Sequence, residues 1–323
     1  EAEADHADLE TGPQARLRGR MKGLGGEAHG HRRRRCPAAA GQQARTRRRF
    51  RLGVRPLPRF IGRMDADHLQ RFAGIGRLYG RAGMERLARS SFLVVGLGGV
   101  GSWTVEALAR SGVGHLSLVD GDAVCVSNTN RQLHAVAGNE GRPKTEAVAE
   151  RARAIHPALR TTLHQRFLSR FNPHEVLADF DGVVVDAMDA LSPKCGLIAE
   201  AVNRKLPVVT VGGCAGRLDG TRLKVTDLRD SRDDPLMMLV RKRLRQNFDF
   251  PRGKTPFGVS CVWSDEPFTQ PTDCEGLPGG EIPEGEDLRP NCEWGYGTAA
   301  HVAGAFGLAA AGEALRLALL PKE

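Results

Sequence analysis

Among the seven cysteines of the chain, at 36, 125, 195, 214, 261, 274 and 292, there is no Cys-x-x-Cys pair. A four-thiolate zinc site needs such pairs, so no zinc is expected, and an odd, scattered set is no disulfide framework. The first 63 residues lack an apolar central stretch, which excludes a signal peptide, and their acidic beginning fits a transit peptide badly. No internal repeat is visible. Aromatic residues make up only 5% of 323, while 39 glycines mark a chain with many tight backbone passages. With 41% hydrophobic and 26% charged residues, the composition is that of a soluble globular protein large enough for a sizeable core.

The formal charge of +9 suggests a nucleic-acid binder until its location is considered. Residues 1–63 hold 16 Lys/Arg against 6 Asp/Glu, and the rest of the chain holds 31 against 32. All of the excess lies in the first fifth, in tracts such as Arg32–Arg35 and Arg47–Arg49 without apolar periodicity. This segment is expected to be a disordered basic extension, with the protein proper starting at Met64. A basic arm that touches RNA is the alternative. Without a secretory signal, the reducing cytoplasm is the expected compartment.

Chemistry begins at Phe92. The β-branched run 92–96 (FLVVG) leads into Gly96-Leu97-Gly98-Gly99-Val100-Gly101, a helical pattern over 102–110 and a strand over 115–120 (HLSLVD). This is a βαβ unit with a G-x-G-x-x-G turn in the right place. Gly96, Gly98, Gly99 and Gly101 let backbone N–H groups and a helix N-terminus approach a phosphate. Asp120 ends the second strand, where a carboxylate can accept from ribose hydroxyls. Further alternation predicts a helix over 144–155, strands over 160–164 and 182–187, a helix over 192–204 and a strand over 208–211. The expected fold is α/β, a Rossmann-like, mostly parallel sheet with helices on both faces over 64–212. A smaller, continuous α+β C-terminal subdomain for substrate and dimer contacts is expected over 213–323. It has strands at 222–226 and 259–263, a helix over 235–248, and a long loop or lid over 271–290.

A hydride-transfer enzyme would use the same turn and acid, but the residues that follow favour another nucleotide. Asp122, the loop Ser127-Asn128-Thr129-Asn130-Arg131-Gln132, Lys144 at a helix start and Asp189 after the third clear parallel strand all fall at carboxyl ends of strands. Two cations suit a triphosphate, and an extra carboxylate suits Mg²⁺. Separately, Arg131 and Lys144 would pass as surface charges and Asp189 as a helix cap.

At these stretches (GLGGVG, LVDGDAV, SNTNRQ, Arg142-Pro143-Lys144 and DAMD) the sequence resembles the ubiquitin-activating-like adenylyltransferases, the superfamily of ThiF, MoeB and HesA. The resemblance implies ATP and Mg²⁺. It gives Asp120 to the ribose, Asn128, Arg131 and Lys144 to the phosphates, and Asp189 to the metal; Asp122 is a further cofactor-binding candidate. The opening Arg71-Phe72…Arg77-Leu78-Tyr79-Gly80, with 224–228 (KVTDL), Asp234-Pro235-Leu236 and 258–264 (GVSCVWS), is similar to the branch that dehydrates threonylcarbamoyladenosine in tRNA. That branch implies adenylation of the nucleoside's carboxylate, cyclisation, a tRNA substrate and a homodimer, with a cysteine desulfurase or sulfur acceptor as further partner. The superfamily often takes an arginine from the partner subunit, at a place that here is Gly74; Arg77, one helical turn later, is the candidate. Cys261 is read as a buried structural thiol, since acyl-adenylate chemistry needs no thioester.

The helix over 235–248 carries Arg241, Arg243 and Arg245, either a solvated face or a tRNA contact. The weakly polar run 297–320 is too rich in Ala and Gly for a membrane span, and stable membrane insertion is not expected. A core or dimer-interface helix is the reading, with peripheral membrane association as the alternative. The competing functions are a sulfur-carrier protein adenylyltransferase, a hydride-transfer enzyme and a non-catalytic RNA-binding relative.

Overall fold

The computed structural model describes residues 65–269 and 297–321. The extension over 1–63 and the stretch 271–290 lie outside the described residues. Two helices come first. In α1 (Ala66–Arg71), Asp65 caps the start by accepting from the His68 amide at 2.7 Å. In α2 (Ala73–Arg89), the helix breaks at Gly80, where φ is 73°. No sequence pattern announces α2, because glycines at 74, 76, 80 and 83 dilute its apolar period.

The alternating series then runs β1 (Ser91–Val95), α3 (Gly99–Arg110), β2 (His115–Val119), α4 (Lys144–Ile155), β3 (Arg160–His164), α5 (Pro173–Leu177), β4 (Val183–Asp186), α6 (Leu191–Asn203) and β5 (Val208–Val211). α4, β3 and β5 have the expected bounds. α3 begins three residues before the expected Ser102, because the glycine turn itself forms the first helical turn. Next come β6 (Leu223–Asp227), α7 (Pro235–Asn247), β7 (Ser260–Ser264) and α8 (Ala300–Leu319).

The seven strands of the described residues form one sheet in the order β3-β2-β1-β4-β5-β7-β6. Every pairing is parallel except that of the edge strand β6 with β7. The C-terminal stretch therefore extends the same sheet beyond β5. β1 lies between β2 and β4, with Ser91 opposite His115 and Phe92 opposite Val183. A strand so enclosed is buried on both faces, which is why 92–95 reads as an unbroken apolar run. Phe92 and Val94 point into one core cluster with α3, α4 and α8, while Leu93 and Val95 point into the other with α5, α6 and α7.

α8 is long and apolar enough by composition to cross a membrane, yet half of its apolar window is buried within the protein. Val302, Phe306, Ala310 and Ala314 recur at four-residue spacing on its buried face. α8 packs tightly on α3: a Cβ at Gly307 would fall 2.5 Å from the Val100 carbonyl, and Thr104 Oγ1 donates to Gly307 O at 3.1 Å. This is the core seat expected for the run. Among the described cysteines, Cys195, Cys214 and Cys261 carry no disulfide.

Candidate nucleotide site

The strand order reverses between β1 and β4, so a crevice opens at the carboxyl ends of these strands. The β1–α3 turn lines it, and its glycines divide into two kinds. Gly96 has φ 85°, and a Cβ there would lie 2.9 Å from the Ala187 carbonyl. A Cβ at Gly101 would fall 1.8 Å from the Gly96 carbonyl. These two are dictated by backbone against backbone. At Gly98 and Gly99 a Cβ would instead meet side chains, Gln132 Nε2 at 3.8 Å for Gly98, and for Gly99 Ala303 Cβ of α8 at 3.1 Å and Arg131 Cγ at 3.4 Å. Gly98 is the N-cap of α3 and brings no side-chain hydrogen bond, so the first amides of the helix stay available to an anion.

Asp120 is tied to this turn. Its Oδ2 accepts from the Leu97 amide at 2.7 Å and its Oδ1 from the Asp122 amide at 2.8 Å. Burial pushes its carboxyl up from the ordinary range, opposed by the Lys144 charge and the two amides. Asp122 Oδ2 meets Lys144 Nζ at 3.0 Å, and its carbonyl accepts from the Lys144 amide, also at 3.0 Å. The first residue of α4 is thereby stitched to the end of β2, and its ammonium is buried. Between them runs the polar loop. Asn128 is buried in it, with its side-chain oxygen accepting from the Cys125 amide at 3.2 Å. Arg131 Nη1 donates to Ser127 O and Asn130 Oδ1, both at 2.9 Å, and its carbonyl accepts from the Trp103 indole at 3.2 Å. Trp103 on α3 thus fixes the backbone that holds Arg131 over the glycine turn.

Asp189 is exposed on the loop after β4, one residue before the N-cap position of α6. Beneath that loop lies a set that sequence reasoning missed. Asp186, Lys194 and Thr210 are all fully buried. Lys194 Nζ sits 2.9 Å from Asp186 Oδ2 and donates to Met188 O at 2.8 Å, while Thr210 Oγ1 donates to Asp186 Oδ2 at 2.7 Å. Lys194 therefore ties both the strand end and the loop that carries Asp189. Its signal in the sequence is a charge within the apolar row Lys194, Leu197, Ile198, Ala201 of α6.

Other candidates stand apart. Arg77 is exposed on α2 and has no contact with this set. Arg241 turns inward to Ser231 Oγ at 2.7 Å, and the Arg245 guanidinium covers the Phe257 ring at 5.0 Å. Arg243 is half-buried, whereas Lys242 on α7 and Arg252 and Lys254 in the segment that follows are exposed. Cys261 is wholly buried in β7, and desolvation pushes its thiol far up. Such a thiol stays protonated. Asp234 caps α7 by accepting from the Met237 amide at 2.9 Å and holds the Gly213 amide at 3.0 Å.

Open helix amides, the Arg131 and Lys144 cations and the Asp120 carboxylate all belong to segments at this end of the sheet, a set that can hold a polyanion. The chain is 41% identical over 252 residues to the tRNA threonylcarbamoyladenosine dehydratase of Escherichia coli, covering 76% of this chain and 92% of that protein. It is 39% identical over 248 residues to the dehydratase of Haemophilus influenzae, with the same coverage. The crystal structure of the E. coli enzyme, TcdA, in complex with ATP superposes with a TM-score of 0.70 at 38% identity, over 79% of this chain and 96% of that one. The ThiF family model matches residues 71–323, and the chain belongs to the ThiF family.

Proposed function

We propose that this chain is an ATP-dependent dehydratase of threonylcarbamoyladenosine in tRNA. The observation that carries the reading is the cradle of Gly96–Gly101, Asp120, Arg131 and Lys144 in a chain 41% identical to the E. coli dehydratase over 92% of that protein. Asp120 holds the ribose, with Asp122 setting the place of Lys144. The α3 amides, Arg131, Lys144 and the Asn128 amide nitrogen take the phosphates.

No group of three potential metal-ligating side chains occurs among the described residues. Mg²⁺ bound with a nucleotide needs only one or two carboxylates beside the phosphates, and exposed Asp189 fits that donor set. The ion would offset phosphate charge. Arg131 and Lys144 do the same as a carboxylate oxygen of the threonylcarbamoyl group bonds to the α-phosphorus and pyrophosphate leaves. A nitrogen of the same side chain then attacks the acyl carbon, and AMP departs with the carboxylate oxygen. The net change in the nucleoside is loss of water.

Residues 64–212 form the nucleotide part and 213–323 the acceptor part of this proposal, in a cytoplasmic homodimer where Arg77 reaches the partner's site. A sulfur-donor pair is a further partner. The sulfur-carrier alternative shares the nucleotide site, and the missing Cys-x-x-Cys pairs weigh against it. Incubation with ATP, Mg²⁺ and tRNA carrying threonylcarbamoyladenosine, followed by nucleoside mass analysis, is expected to show a nucleoside lighter by one water. An unchanged nucleoside, or stabilisation by NAD in place of ATP, would overturn the reading.

The tRNA contact is proposed for the α7 face. Since Arg241 and Arg245 spend their guanidinium groups internally, the exposed Lys242, Arg252 and Lys254 join Arg243 as the phosphate contacts. Replacing Lys242, Arg252 and Lys254 together with Ala is expected to raise KM for tRNA and leave that for ATP unchanged. The salt dependence should flatten by roughly one unit of slope per lost contact. Equal salt slopes for variant and parent would remove this face from the interface.

A further inference from the structure

Between β3 and α5 the chain carries a loop whose residues 166–174 include two arginines, two phenylalanines and no acid. Arg166 pairs with Glu175 of α5. Arg170 instead lays its guanidinium 4.4 Å from the centre of the Phe171 ring. Phe171 is 71% exposed and belongs to neither core cluster of the sheet. One part of the ring lies under a cation and most of the rest meets water, an apolar surface that the fold itself does not bury.

The pair is held in place. A Cβ at Gly196 would fall 2.8 Å from Arg170 Cα and 2.9 Å from its carbonyl oxygen, so the loop backbone rests directly on α6. Ser169 Oγ accepts from the Phe171 amide at 3.2 Å and donates to Asn172 Oδ1 at 3.0 Å. The same Asn172 oxygen accepts from the Ser169 amide at 2.7 Å. Leu168 packs against the core cluster that α6 and α7 share. A ring preset in this way loses little freedom when a ligand covers it.

α6 also joins this loop to α7. Cys195, the residue before Gly196, reaches Val240 O of α7 at 4.0 Å. The loop and the helix that carries Lys242 and Arg243 thus touch neighbouring residues of one helix. The other exposed residues beside the ring, Ser169 and His174, are polar, and Arg170 is cationic, which suits a polyanion with flat parts. Unpaired bases of an RNA loop are such parts, and proteins take them by stacking aromatic rings and Arg planes on them. We infer that Arg170 and Phe171 form a stacking platform for an unpaired base of the tRNA, a contact that rests on the dehydratase reading above. It adds a base contact to the phosphate contacts of α7. A duplex hides its base faces, so the platform tells a loop from a stem.

Fluorescence anisotropy of the full chain tests this with two labelled RNAs, an anticodon stem–loop and a fully paired duplex of equal length. F171A is expected to bind the stem–loop about 10-fold or more weakly, the effect of removing a base-stacking ring, and to bind the duplex as the parent does. Its salt slope should equal the parent's, since no phosphate contact is lost. F171W is expected to bind the stem–loop at least as tightly as the parent. Parent-like stem–loop binding by F171A, an equal loss on the duplex, a flattened salt slope, or an F171W as weak as F171A would each overturn the platform. A parent that binds ATP but neither RNA would remove the tRNA reading and the platform with it. Parent-like binding by F171A removes the platform alone.

Discussion

Lys144→Ala is expected to lower kcat for adenylate formation by two to three orders of magnitude, about 3–4 kcal/mol of transition-state stabilisation. The ammonium is buried and pairs with Asp122 Oδ2. In so dry a place a positive charge acts on a pentacovalent phosphorus centre far more strongly than it would in water. The fold should tolerate the loss, because Asp122 is half-exposed and its carboxylate can turn to solvent. ATP-dependent pyrophosphate exchange measures the effect, and a melting curve within a few degrees of the parent would separate chemistry from stability. An unchanged exchange rate would take Lys144 out of the site.

Lys194→Met is expected to destabilise the protein by about 3–5 kcal/mol. Both partners of the Lys194–Asp186 pair are entirely buried. Removing the ammonium leaves a carboxylate in the core with Thr210 Oγ1 and the Met188 amide as its remaining donors. The loss should lower the melting temperature by about 2–4 °C per kcal/mol. Asp186→Asn added to Lys194→Met should recover much of this, since no uncompensated charge then remains. Denaturant unfolding of the single and double variants gives the answer. A single variant as stable as the parent, or a double variant worse than the single, would show that the pair is not what holds this end of β4. Residual turnover should also need more Mg²⁺, because the loop held through Met188 O is the one that presents Asp189.

The two arguments differ in how far the sequence could carry them. Lys144 stands at a legible place: a short apolar strand, a glycine turn, an acid ending the next strand, and a cation opening a helix whose bounds agree with the expectation. Each is a local signal, set by side-chain period, glycine sterics or chain order over a few dozen residues. The same signals placed the alternating strands and helices, and with them the crevice at the carboxyl ends of β1 and β4.

What the tertiary structure decided is which side chains face each other across elements distant in sequence. Lys194 reads as one polar residue in an apolar row until β4 and β5 lie beside α6, when Asp186 and Thr210 become its partners. Arg241 and Arg245 read as surface cations, but Ser231 and Phe257 take them inward. The long apolar run 297–320 carries no trace of its neighbour; Gly307 and Thr104 meet only because α3 and α8 close to backbone contact. Phe171 is an ordinary loop residue until the backbone of Arg170 comes to rest on Gly196 of α6. Period and sterics are properties of a segment, so the sequence alone determined the elements and the glycine turn. Burial, charge pairing and an open aromatic face are properties of neighbours, and only the packed sheet with its two helical layers supplies those.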